Sequence, residues 1–177
     1  MEYPSKLIED AVQAFTRLPG VGSKTALRHV LHLLKEDDER AKELGHAIVR
    51  LKDEIQYCRV CHNISDEEVC SICRDDNRDH GLVCLVEDMR DVMAIEGTGQ
   101  YTGTYHILGG LISPMDGIGP ENLNVQSLVD RVEERGVREV ILAMSTTMEG
   151  DTTMFYLSKQ LRPMGVKVSS ISRGIAI

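Results

Sequence analysis

Apolar residues recur at helical spacing through the first third of the chain and gather into short runs through the rest. Leu7, Ile8, Ala11, Val12, Phe15 and Leu18 fall three and four residues apart, which predicts a helix over 4–17. The turn "LPGVG" follows, and the pattern then predicts helices over 23–34 and 37–55. From residue 81 the period alternates. "LVCLVE" (82–87), "GTYHIL" (103–108), "REVILAM" (138–144) and "VKVSSIS" (166–172) read as strands. Helices are predicted between them over 88–97, over 121–136 (ended by Gly136) and over 151–165 (stopped by Pro163 and Gly165). Strand–helix alternation with short connections implies right-handed crossovers and a mainly parallel sheet. The intervening stretch, 57–80, is polar and punctuated by cysteines. The pattern therefore predicts an α+β chain in three parts: a helical region over 1–56, a cysteine-rich segment over 57–80 and an α/β domain over 81–177. No closing helix follows "SRGIAI", so the expectation is a shortened chain or a sheet completed by another chain.

The 177 residues, 42% of them hydrophobic, suit one or two small domains with a real core. No apolar run approaches the roughly 20 residues of a membrane-spanning helix, and no export signal opens the chain. The expectation is a cytoplasmic protein with no membrane partner. A formal charge of -8 argues against nucleic acid as a ligand, but charge distribution matters more than the sum. Between Ala11 and Lys35 stand Arg17, Lys24, Arg28 and Lys35 and no acid. Within that window "LPGVGSKTA" looks like a phosphate loop. A nucleotide-binding P-loop needs a glycine directly before the lysine and a strand leading in; here Ser23 intervenes and the lead-in is helical. The loop instead resembles the turn of a helix-hairpin-helix DNA-binding motif. Gly20 and Gly22 allow φ > 0 and a close phosphate approach, Ser23 is placed to cap the second helix, and that helix offers its free amides. Lys24 and Arg28, four apart, share a face. Such a site reads no base edge, so it predicts sequence-independent DNA binding. The alternative is an ordinary αα-hairpin turned by proline and glycine.

Four of the five cysteines form two Cys-x2-Cys pairs, Cys58/Cys61 and Cys70/Cys73, eight residues apart. Two such turns complete a tetrahedron of thiolates, which predicts one structural Zn²⁺ per chain with no position left for water or substrate. A redox dithiol is the competing reading. Cys84, within "LVCLVE", reads as a buried small hydrophobe.

Glu87 ends the first strand of the α/β region, and Glu149 and Asp151 follow the third. Both places are carboxyl ends of strands, where open α/β sheets carry their sites. If the two strands are neighbours, the three carboxylates converge in a cluster that suits Mg²⁺. The pattern resembles the Toprim domain of topoisomerases and primases, in which the glutamate serves as general acid/base and the acid-x-acid pair holds metal for phosphoryl transfer. Alternatively Glu149 and Asp151 cap and charge the next helix. Asp88 and Asp91 read as solvated helix-surface acids.

A helix-hairpin-helix, a four-cysteine zinc finger and a Toprim-like domain, in that order, together resemble the RecR family of bacterial recombination mediators. "YCRVCHNISD", "YHILGGLISPMDGIGP", "STTMEGDTT" and "SRGIAI" carry the resemblance along the whole chain. It implies a non-enzymatic protein of DNA repair and recombination, acting after DNA damage. Such a protein forms a clamp-like homo-oligomer (dimer or tetramer) on DNA, and works with RecO and RecF to load RecA. It also implies DNA-binding roles for Lys24 and Arg28 at the Gly20–Gly22 turn and zinc ligation by Cys58, Cys61, Cys70 and Cys73. It places a RecO-engaging face at Glu87, Glu149 and Asp151, and localisation at the nucleoid. This chain departs from the family in carrying Ser145 and Thr146 where many members have Asn-Pro, and in lacking the further acidic segment that in the family packs between subunits. The rival functional class is a metal-dependent Toprim phosphotransferase or nuclease. It lacks a persuasively placed nucleophilic tyrosine and a recognisable nucleotide-binding surface. A zinc-stabilised interaction module that never touches DNA is the third reading, against which the basic hairpin counts.

Overall fold

The Ser5 hydroxyl accepts the Leu7 amide at 3.2 Å and so starts α1 (Lys6–Thr16). In the computed structural model, which describes residues 3–172, this helix belongs to the first of two units, Met1–Glu54 and Ile55–Ile177. α1 packs on α2 (Ser23–Leu33) through Val12, Ala26 and Val30, with Ile8, Ala11, Phe15 and Leu27 around them. These are the positions at which the 3.6-residue period puts apolar side chains on one stripe. α3 (Asp38–Glu54) buries no residue. Its Leu44, Ile48 and Leu51, spaced four and three apart, are 43%, 56% and 60% exposed.

The second unit opens with a two-stranded antiparallel ribbon, β1 (Gln56–Tyr57) and β2 (Ile64–Ser65), and a one-turn helix α4 (Ser71–Arg74). The pieces are too short to register as hydrophobic periodicity, so the sequence pattern does not announce them. Four parallel strands follow: β3 (Asp79–Val86), β4 (Gly103–Ile107), β5 (Glu139–Ala143) and β6 (Lys167–Ser170), in the order β4-β3-β5-β6. Successive β3 side chains alternate faces. Val83 and Leu85 join Leu128, Val132, Leu157 and Leu161 in one core, under α6 (Val125–Glu134) and α7 (Met148–Leu161). Cys84 and Val86 join Val92, Tyr105 and Ile107 in another, under α5 (Met89–Glu96). Both faces of β3 are covered, which is why "LVCLV" is apolar throughout rather than alternating.

Two helix starts differ from the expectation by three residues or more, and α7 ends at Leu161 rather than 165 because Pro163 lies in a separate 3-10 turn, Arg162–Met164. α6 begins at Val125 rather than 121, because Pro120–Asn122 closes a separate 3-10 turn in which the Asn122 side chain accepts the Gly119 amide. α7 begins at Met148 rather than 151, because the Thr147 hydroxyl caps the Gly150 amide at 3.1 Å. The expectation drawn from the chain's end falls on residues 173–177, outside those described.

Candidate nucleic-acid interface and metal centre

At the hairpin, Gly20 has φ +77°, a conformation that costs any residue with a Cβ. Gly22 does not: its φ is -82°, so the expected positive φ is wrong there. Gly22, not Ser23, is also the N-cap of α2, and no side chain caps the helix. Ser23 is already the first helical residue, so its hydroxyl is not in the capping position. The outcome leaves the opening amides of α2 without a side-chain acceptor beside a glycine at which an added Cβ would meet nothing within 4 Å. Lys24 and Arg28 are exposed, neither has an ion-pair partner among the described residues, and with Leu27, Leu31, His32 and Lys35 they line one shallow concavity along α2. His32 pairs with Glu36 at 3.4 Å.

The four knuckle cysteines come together, with all four sulfurs within 4.8 Å of one another. A tetrahedron with Zn–S bonds of about 2.3 Å has sulfurs about 3.8 Å apart, so a modest contraction around the ion completes the site. Cys58, Cys61 and Cys70 are buried and Cys73 half-buried, consistent with a closed structural site. The Cys70 amide donates to the Cys58 sulfur at 3.3 Å, and Cys61 and Cys70 sulfurs lie 3.5 Å apart. Hydrogen bonding with Cys61 pulls the Cys70 thiol well below its ordinary value, and hydrogen bonding with Cys70 pushes Cys61 up. The turn between the first pair closes through His62, a non-glycine residue at φ +61° whose amide donates to Cys58 O at 2.8 Å.

The knuckle covers one edge of the sheet. In β4, odd-numbered residues turn their backbone groups away from β3. The Ile107 amide donates to Cys61 O at 2.8 Å. The three outward carbonyls each have a side-chain donor: Gly103 O takes Arg78 Nη1 (3.1 Å), Tyr105 O takes Arg131 Nη1 (2.6 Å) and Ile107 O takes Asn124 Nδ2 (3.0 Å). Arg131 also donates to Thr104 Oγ1 at 2.7 Å. Beside it, His62 pairs with Ser127 Oγ at 2.8 Å and meets His106 edge-on, with ring centroids 5.2 Å apart. Sequence reasoning does not reach Arg131 or His106. Arg131 does leave a signal: it falls three residues after Leu128, inside the apolar phase of α6.

On the sheet's carboxyl end, β3 and β5 are neighbours as required, but the three acids do not converge. Glu87 and Glu149 line one cleft with Ser113, Asp116, Ser145 and Thr147; Asp151 is not among its lining residues. Both Glu149 and Asp151 sit in the first turn of α7, where an offset of two residues turns them by about 200°. The Glu87 carboxylate accepts the Ser145 amide at 2.5 Å, which ties the strand to the loop before α7. Asp88 and Asp91 are not solvated surface acids: they form the capping box of α5, with Asp88 accepting the Arg90 amide at 2.7 Å and Asp91 the Asp88 amide at 3.1 Å. Among the described residues, the cysteines are the one set of three or more candidate ligands brought together.

Three family models match the chain: a RecR helix-hairpin-helix over 8–52, a RecR four-cysteine zinc finger domain over 55–75 and a Toprim domain over 81–172. The proteins named recombination protein RecR in Bacteroides thetaiotaomicron and Bacteroides fragilis are each 58% identical over 176 residues, covering 99% of this chain and 86% of the relative. That of Amoebophilus asiaticus is 54% identical over 177 residues, covering 100% of this chain and 88% of its own length. No helix among the described residues is long and apolar enough to cross a membrane.

Proposed function

The chain belongs to the RecR family of recombination proteins, and from that membership we propose that it is a non-enzymatic, DNA-binding recombination mediator. In this reading it assembles as a homo-oligomeric clamp, works with RecO and RecF to load RecA at damaged DNA, and acts in the cytoplasm at the nucleoid. The three-part division at 1–56, 57–80 and 81–177 assigns DNA contact to the first part, one structural Zn²⁺ on Cys58, Cys61, Cys70 and Cys73 to the second, and partner contact to the third. Glu87 and Glu149, which line one cleft, serve as a face for RecO rather than a catalytic centre, with Asp151 on another side of the first turn of α7. If Mg²⁺ binds there, it is through the Glu87–Glu149 cleft.

The observation that carries the proposal is the open cation pair of the hairpin. Lys24 and Arg28 stand exposed on the face that follows uncapped helix amides and a glycine with free space in front of it. Backbone amides and the helix dipole set where a phosphate sits, and the two cations supply charge. The test is a salt titration of binding to fluorescent DNA. In the Lys24→Ala/Arg28→Ala double variant, affinity should fall for all sequences alike and the salt slope should flatten by about one unit per cation removed. Unchanged affinity and slope would move the DNA site elsewhere. In the same assays, Mg²⁺-dependent cleavage that vanishes with Glu87→Gln would establish the enzymatic reading instead.

A further inference from the structure

Arg131 is a charge in an unusual place. It is 5% exposed, and it donates to the neutral Tyr105 carbonyl and Thr104 hydroxyl. Among the described residues no carboxylate pairs with it. A buried cation without a counter-charge is costly, because neutral acceptors solvate it without balancing it.

The candidate counter-charge lies across the edge of β4. Cys61 O is bonded to Ile107 N, two residues from the carbonyl that Arg131 holds. Ser127, one helical turn before Arg131 on α6, holds His62, the residue after Cys61. Ile72 of α4 packs both on the cysteine cluster and on the core containing Tyr105 and Ile107. Knuckle, strand edge and α6 are thus one buried polar assembly. Four thiolates around Zn²⁺ leave a net negative charge, and such a centre within a low-dielectric interior acts well beyond bonding distance.

We propose that Arg131 is the internal counter-cation of the zinc–thiolate centre, so that metal binding by the knuckle and closure of the β4 edge are a single coupled event. The inference rests on the zinc reading given above. It makes Arg131 a positioning residue that acts on the metal through charge, without ligating it. The electrostatics run the same way: burial pushes the guanidinium down from its ordinary value, and the sulfurs of Cys73, Cys61 and Cys58 pull it back up, against Arg135.

The experiment is zinc transfer from the full chain to a colorimetric chelator, after metal analysis of the wild type. One zinc per chain in the wild type is the precondition, and its absence would remove the zinc reading and this inference with it. Given zinc, Arg131→Gln should release it on the order of tenfold faster, as outer-shell partners of metal sites do when removed. Arg131→Lys, which keeps the charge but not the fork, should stay nearer the wild type, and Arg135→Gln should match it. Equal release by the wild type and Arg131→Gln, or equally fast release by the Lys and Gln variants, would overturn the proposal. A measurement on the wild type alone guards against variants that fail to fold. On zinc removal, hydrogen exchange of the 103–107 amides should accelerate before that of the 139–143 amides; simultaneous acceleration, or none, would overturn the coupling.

Discussion

His106 has one ring nitrogen satisfied and one bare. Nε2 lies 2.9 Å from Asn124 O, an acceptor, so Nε2 carries the proton. Nδ1 is buried with no partner. Adding a second proton would place a cation where nothing receives it, and burial accordingly lowers its pKa from 6.5 to about 3. The sign follows by linkage: between those two values the unfolded chain binds the proton and the folded chain does not, so stability falls as pH drops through that window. In His106→Gln the loss of thermal stability between about pH 7.5 and pH 5.5 should be smaller than in the wild type, with zinc content checked at both. An undiminished pH dependence would assign the sensitivity to other groups. Neither this role nor that of Arg131 can be read from hydropathy, because "GTYHIL" looks like any strand until the knuckle closes over its edge. The hairpin residues are legible for the opposite reason. Their chemistry is local: glycine, helix start and an i, i+4 cation pair all lie close together in the chain. Even so, the sequence assigns Gly22 a φ of the wrong sign, since a glycine permits the left-handed region without requiring it.

The start of α7 shows how a tight approach fixes an element. A Cβ built on Gly150 would lie 2.1 Å from Ser145 O, within the loop whose Ser145 amide the Glu87 carboxylate holds. Gly150→Ala must therefore push the first turn of α7 away from β5. It should cost about 2 kcal/mol, the scale of an overpacked core, measured as a shifted urea midpoint of unfolding. An unaffected midpoint would mean that the loop yields freely. The strands of the four-stranded sheet and the helices packed on them are legible as elements because each buries a face and so repeats with a definite period, while α3 shows the period without burying any residue. The errors fall at helix ends, where a few side chains decide: Thr147 advances α7 to Met148, the Pro120 turn delays α6 to Val125, and the turn holding Pro163 ends α7 at Leu161. The same advance of α7 brings Glu149 into the helix that the sequence pattern starts at Asp151, and on a helix residues two apart diverge. The sequence reading expects a third carboxylate in the cluster because it places both acids just past the carboxyl end of a strand neighbouring that of Glu87.

At the level of the whole molecule, the order of the three parts is legible from motifs, and the seam between zinc knuckle and sheet is not. That seam is made of contacts between residues such as Cys61 and Ile107, far apart in the chain and joined through backbone atoms that carry no side-chain signature. The proposed clamp makes its own demand on α3, whose apolar stripe at Leu44, Ile48 and Leu51 is left exposed. An amphipathic helix with its apolar face open favours association. Light scattering coupled to size-exclusion chromatography should report a dimer or tetramer for the wild type and a monomer for Leu44→Glu/Ile48→Glu. A wild type that stays monomeric on concentration, or a variant of unchanged mass, would separate this stripe from assembly. The sealed edge of β4 has a further consequence in time. A nascent polypeptide leaves the ribosome from its amino end, and the cysteines at 58–73 emerge well before the strand at 103–107 that they will cover. A chain that captures its metal during translation already carries the cover when the vulnerable strand appears. Under the proposed coupling, a chain made under metal starvation would instead present the Ile107 end of that strand without its cover among its neighbours on the same polysome.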